Sequence, residues 1–235
     1  MKLLISVRSG REALLAARGG AGFIDLKEPR NGALGELPLA TIRECVAALR
    51  GSGLPVSATI GDAPKDIIGA VQRVADCGVH LVKVGVERDD AARDTLSILA
   101  GCGRPVVPVL MADRGIDAGI VAHAASLGFA GLMLDTADKR ARSLFDCMPL
   151  GELAHFIDSA RAVSMMCGLA GALRLEHLQQ LIALAPDFAG FRTAVCGASR
   201  SAALDPDRLR ELVQAASWDI GSPSSSERIE SSALL

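Results

Sequence analysis

The chain has 235 residues, 50% of them apolar and 22% charged, with a formal net charge of −2. That composition suits one large domain with a sizeable core and leaves little room for disorder. The near-neutral balance argues against a nucleic-acid or membrane-surface role, and the absence of tyrosine with only 3% aromatics removes the stacking platforms of single-strand binders.

The opening Met1-Lys2-Leu3-Leu4-Ile5-Ser6-Val7 is too short for a signal-peptide core, and no apolar run reaches the length of a membrane span. It reads as the first of eight strand-like runs, at residues 3–7, 22–26, 54–59, 79–84, 105–110, 129–134, 162–167 and 187–192. Most are almost continuously apolar, as parallel strands covered on both faces should be. Helical patterns separate them. Ser9-Gly10-Arg11-Glu12 reads as a capping box, and Asp62 before Pro64 and Asp205 before Pro206 as caps followed by first-turn prolines. Ile67, Ile68, Val71, Val74 and Ala75 fall on one helical face, as do Leu209, Leu212, Val213 and Ala216. Gly78, Gly128 and the pair Gly19-Gly20 stand where helices should stop.

Eight such alternations predict an α/β chain folded as a single-domain (β/α)8 TIM-type barrel over residues 1–217, with an open doubly wound sheet as the alternative. Residues 218–235, rich in serine, read as a tail outside the barrel. No dinucleotide or P-loop glycine fingerprint is present. The six cysteines, Cys45, Cys77, Cys102, Cys147, Cys167 and Cys196, lack paired spacing and predict reduced thiols in a cytoplasmic protein.

In such a barrel, chemistry gathers where strands end. The second run ends in Asp25-Leu26-Lys27-Glu28-Pro29, the fourth in Lys83-Val84-Gly85, the sixth in Asp135-Thr136-Ala137-Asp138-Lys139 and the eighth in Arg192-Thr193. Only five of the 25 basic residues are lysines, yet three of them, Lys27, Lys83 and Lys139, stand at these exits. Arginine carries charge equally well but cannot lose its proton to become a nucleophile, so the placement points to an amine that reacts. The chemistry implied is a Schiff base, in which a lysine amine attacks a carbonyl and the iminium draws electrons. Asp25 and Asp135 would move protons or hold the amines. Backbone amides of Gly168-Leu169-Ala170-Gly171 after the seventh strand, with Arg192 and Thr193 after the eighth, would hold a phosphate.

The remaining polar residues read as structural. His80, His123, His155 and His177 have no metal-ligand spacing, so no metal and no cofactor are expected. Cys167 and Cys196 read as small buried residues, Met165-Met166 as core filling, and Asp62 and Asp113 as helix caps.

These separated motifs, with Gly32-Ala33-Leu34-Gly35 and Val195-Cys196, resemble the (5-formylfuran-3-yl)methyl phosphate synthase family, also called 4-(hydroxymethyl)-2-furancarboxaldehyde-phosphate synthase. The resemblance spans residues 1 to about 216. It implies a barrel lyase that condenses two molecules of glyceraldehyde 3-phosphate into a furan, with loss of phosphate and water, in methanofuran biosynthesis and hence one-carbon metabolism. It also implies that Lys27 is the Schiff-base lysine, with Lys83, Asp135, Lys139 and Asp25 as companions. Thr193 departs from the pattern, which has glycine after the arginine.

The expected partner is a small phosphorylated aldehyde, with no nucleic acid and no membrane; a homo-oligomer is left open. Two alternatives stand beside this reading: a class I aldolase or triose or pentose phosphate isomerase, and a non-catalytic phosphosugar-binding barrel.

Overall fold

In the computed structural model, residues 1–62, 64–138, 142–197 and 199–218 are described. The expected positions of Lys139 and of residues 219–235 lie outside them. Eight parallel strands run β1 (Lys2–Val7), β2 (Phe23–Leu26), β3 (Val56–Asp62), β4 (Leu81–Val86), β5 (Val106–Met111), β6 (Gly131–Asp135), β7 (Met166–Leu169) and β8 (Phe188–Phe191). Each pairs with the next and β8 pairs with β1, so the sheet closes and the open-sheet alternative is excluded. The helices are α1 (Gly10–Arg18), α2 (Leu39–Ala48), α3 (Ile67–Ala75), α4 (Ala92–Ala100), α5 (Ala118–Ser126), the single turn α6 (Leu144–Cys147), α7 (Leu150–Arg161), α8 (Leu178–Leu184) and α9 (Pro206–Trp218). Among the described residues no helix is long and apolar enough to cross a membrane.

Strand alternation sorts the core into two. Outward residues such as Ile5, Ile24, Leu26, Val82, Val84 and Leu132 join the helices in one large apolar layer. Inward residues Leu4, Phe23, Leu81, Val107, Val109, Met133 and Phe188 fill the barrel itself. Phe23 and Phe188 stack with centroids 5.5 Å apart. Because Phe188 leans across β7, a methyl group on Gly168 would run into its ring. Ala33 and Leu34, on the loop after β2, dip back into this inner cluster from above.

Several local expectations need correction. The cap of α3 is Asp66, which accepts from the Gly69 amide, because β3 continues through Asp62. Ile68 lies off the buried face of that helix, while Val71 and Val74 lie on it. Asp117, and not Asp113, caps α5. Ser9 does cap α1, but the Glu12 carboxylate accepts from the Arg8 amide at 3.0 Å and not from that of Ser9. The seventh strand starts at Met166, since residues through Arg161 are helical and Ser164 turns with a φ of 58°. Asp205 caps α9 as expected, accepting from the amides of Asp207 and Arg208. Gly78 and Gly128 end their helices with φ of 90° and 72°, where a side chain would be strained.

Candidate active site

Above the apolar floor the inward positions turn polar. Ser6, Asp25 and Ser57 are register partners on β1, β2 and β3, so three neighbouring strands aim them at one level. Asp25 is wholly buried, and Lys83 and Lys27 are 1% and 4% exposed. Lys83 lies in the middle of β4 and reaches up, placing its Nζ 2.7 Å from Asp25 Oδ1. Lys27, two residues beyond Asp25, brings its Nζ to 3.8 Å from Oδ2. Ser57 donates to Oδ1 at 2.8 Å and Ser6 to Oδ2 at 3.1 Å.

This carboxylate is therefore the hub of two cations and two hydroxyls. Burial alone pushes the Asp25 carboxyl up, because the charged form loses its water. The charges of Lys83 and then Lys27, with hydrogen bonds from Lys83 and Ser57, overcome that and hold its pKa below the ordinary aspartate value.

Opening above Lys27 is a narrow cavity, walled by the ends of β1, β7 and β8 and bordered by Ser6, Gly171, Leu173, Arg192, Thr193 and Arg200. Lys83 does not border it. On the β7 side, Gly171 has a φ of 121° and Ala172 one of 46°. The amides of Gly171, Ala172 and Leu173 have no acceptor among the described residues. The fully buried Thr136 hydroxyl, beside Gly171, likewise lacks a partner among them.

The expected site residues thus separate. Asp25, Lys27 and Lys83 meet directly, and Gly171 and Thr193 border the cavity above them. Gly168 lies lower, within β7 against the Phe188 ring. Asp135 ends β6 on the far side of the barrel, fully buried, with Oδ1 accepting from the Thr136 amide at 2.8 Å. The following turn is fixed by Asp113, which accepts from the amides of Ala137 and Asp138, both at 2.9 Å.

Arg192 borders the cavity but spends all five of its N–H groups inside the protein. They go to the carbonyls of Ser6, Arg200 and Ala202 and to both oxygens of Glu12, the closest at 2.6 Å. Glu12 also accepts from the amides of Arg8 and Leu204. Arg192 could engage a ligand only by giving up one of these buried bonds.

Four participants are not assigned to the site from the sequence, although Glu12 reads there as part of a capping box. Ser6 carries a signal, as the lone hydroxyl of an apolar strand at an inward position, and Ser57 a weaker one, since it shares the inward face of β3 with Thr59. Glu12 and Arg200 carry none. The buried thiols fit their structural reading, with Cys167 pushed up to about 12 and Cys196 to about 11 by burial. Among the described residues no cluster of potential metal ligands occurs.

Comparison with known proteins follows the same lines. The chain is 32% identical over 230 residues to the (5-formylfuran-3-yl)methyl phosphate synthase of Methanosarcina mazei, covering 91% of this chain and 98% of the relative. It is 32% identical over 232 residues to that of Archaeoglobus fulgidus, covering 92% and 99%. A Methylorubrum extorquens relative, 39% identical over 216 residues and 91% of each chain, carries the same name provisionally. Among solved structures, phosphoribosyl anthranilate isomerase from Thermus thermophilus matches with a TM-score of 0.66 at 17% identity, covering 92% of this chain and 98% of that one. 3-Hexulose-6-phosphate synthase matches with 0.58 at 20%, covering 91% and 100%. These two likenesses speak to the barrel alone. The sequence profile of 4-HFC-P synthase matches residues 3–213, nearly the whole barrel, and the chain belongs to that family.

Proposed function

We propose that the protein condenses two molecules of glyceraldehyde 3-phosphate into (5-formylfuran-3-yl)methyl phosphate, the furan unit of a methanofuran-type cofactor, by way of an imine on Lys27. One phosphoric acid and two waters leave, which balances the atoms without an oxidant or reductant. The observation that carries the assignment is the split between the two lysines on Asp25: Lys27 borders the cavity, whereas Lys83 lies beneath it, tight against the carboxylate.

On this reading the Lys27 amine adds to the aldehyde of one triose, and loss of water gives an iminium. The iminium acidifies the neighbouring C–H, and proton removal yields a carbon nucleophile for the second aldehyde. Asp25 holds the amine in place through its other oxygen and the two serines. Asp135 takes protons from the opposite wall, and Lys139 steadies a phosphate or a leaving hydroxyl. Phosphate settles at the β7 and β8 ends, where amides of Gly171, Ala172 and Leu173 await an acceptor. A small phosphorylated aldehyde in the cytoplasm is the partner this chemistry requires.

Incubation of the protein with glyceraldehyde 3-phosphate tests the proposal. A furan chromophore with release of phosphate supports it. Interconversion without phosphate release would make the protein an aldolase or isomerase, and absence of turnover a binder.

A further inference from the structure

Two arginines meet at the cavity and differ in one respect. Arg192 is saturated by the protein. Arg200 is half-buried, and among the described residues its guanidinium makes one hydrogen bond, Nη2 donating to the Gly32 carbonyl at 2.8 Å. Its remaining N–H groups have no acceptor among the described residues. Arg200 shares the cavity wall with Lys27 and with Gly171 and Ala172, whose amides are also without acceptors there. Burial holds the Arg200 pKa below its ordinary value, against the pull of the Asp135 carboxylate.

Its position is built, not incidental. The chain leaving β8 forms a loop pinned at its base by the antiparallel bridge between Cys196 and Leu204. Arg192 donates to the carbonyls of Arg200 and Ala202, at 2.9 and 2.7 Å, and Arg8 donates to that of Ser201, at 2.9 Å. Glu12 holds Arg192 from below and takes the Leu204 amide. Three consecutive carbonyls are therefore gripped from beneath, which leaves the Arg200 side chain facing the cavity.

We propose that Arg200 is the side chain that grips the substrate's phosphate, through paired N–H groups of its guanidinium, and that Arg192 and Glu12 are positioning residues that hold its loop. This rests on the phosphorylated-triose reading above. A guanidinium matches two phosphate oxygens at once, and the amides of Gly171, Ala172 and Leu173 supply the facing donors.

The test measures inorganic phosphate as a competitive inhibitor and in direct titration calorimetry, with wild-type protein, Arg200→Gln and Arg200→Lys. The glutamine variant should weaken phosphate binding and raise KM for glyceraldehyde 3-phosphate by roughly 10–100-fold, the loss of a charge-assisted paired contact. The effect on imine trapping with glyceraldehyde, which has no phosphate, should be smaller. Should the glutamine variant fail to fold, the lysine variant decides, since it keeps the charge but loses the fork and should bind several-fold more weakly. Wild-type protein that makes the furan, beside a folded variant that binds phosphate as wild type does, overturns the role of Arg200 alone. Wild-type protein that neither binds inorganic phosphate nor reacts with the triose overturns the underlying reading as well.

Discussion

Lys83 Nζ stands 2.7 Å from Asp25 Oδ1, while on its other side it meets the thioether of Met133 at 4.0 Å. A lysine in the middle of a barrel strand, with apolar neighbours above and below it in sequence, depends on that one carboxylate. Asp25→Asn should therefore destabilise the fold by about 3–5 kcal/mol, the cost of breaking a buried pair from one side. Chemical denaturation of the variant against wild type would measure this, and a loss under about 1 kcal/mol would refute it.

The same carboxyl sets an acid limit. Held below its ordinary value of 3.8, Asp25 stabilises the fold at every pH above that value. Its contribution falls away only as acid protonates the folded chain, from about pH 4 downward. Melting temperatures recorded between pH 7 and pH 3 should show this acid limb in the wild type and a weaker one in Asp25→Asn. Equal slopes would mean that Asp25 is not a source of the acid sensitivity.

Borohydride reduction with glyceraldehyde 3-phosphate should add substrate mass to the peptide holding Lys27. Lys27→Arg should be inactive although the charge is kept, because a guanidinium cannot form the imine. Label on Lys83 instead would reverse the roles of the two lysines.

Asp135→Asn separates proton transfer from architecture. The amide oxygen of asparagine can still accept from Thr136, so the β6 exit should keep its shape. Turnover should nonetheless fall by roughly 10²–10⁴-fold, as for a lost general base, while the Lys27 imine still traps. Trapping together with full furan production would remove Asp135 from the chemistry.

Gly168→Ala should cost about 1–3 kcal/mol, because the added methyl meets the Phe188 ring in a filled interior. Adding Phe188→Leu to the same chain should recover part of the loss, a coupling that a double-mutant cycle reads directly.

Strand alternation and exits made the barrel and the Asp25–Lys27 pair legible in the sequence. Lys83 was harder to place. It interrupts an apolar run and so reads as the end of a strand, whereas β4 carries on to Val86. Polarity inside a barrel and polarity at its rim look alike in one dimension. The seventh strand was displaced because Ala162 and Val163 look strand-like but follow the last turn of α7, with Val163 half in solvent. Asp62 and Asp113 carry the residue type of a cap without its position, since neighbouring Asp66 and Asp117 take the amides. The Glu12–Arg192 pair joins residues 180 positions apart, and no local pattern announces it.

The saturation of Arg192 also bears on how quickly a ligand can be captured. A loop that must find its shape around each arriving anion adds its lost chain freedom to every binding event and slows association. Here the five bonds of Arg192 draw the β8 loop, the Ser6 carbonyl and the first turn of α1 into one rigid frame when the chain folds. The entropy of ordering that rim is spent once, at folding, and a small anion entering from solvent meets a surface already in shape.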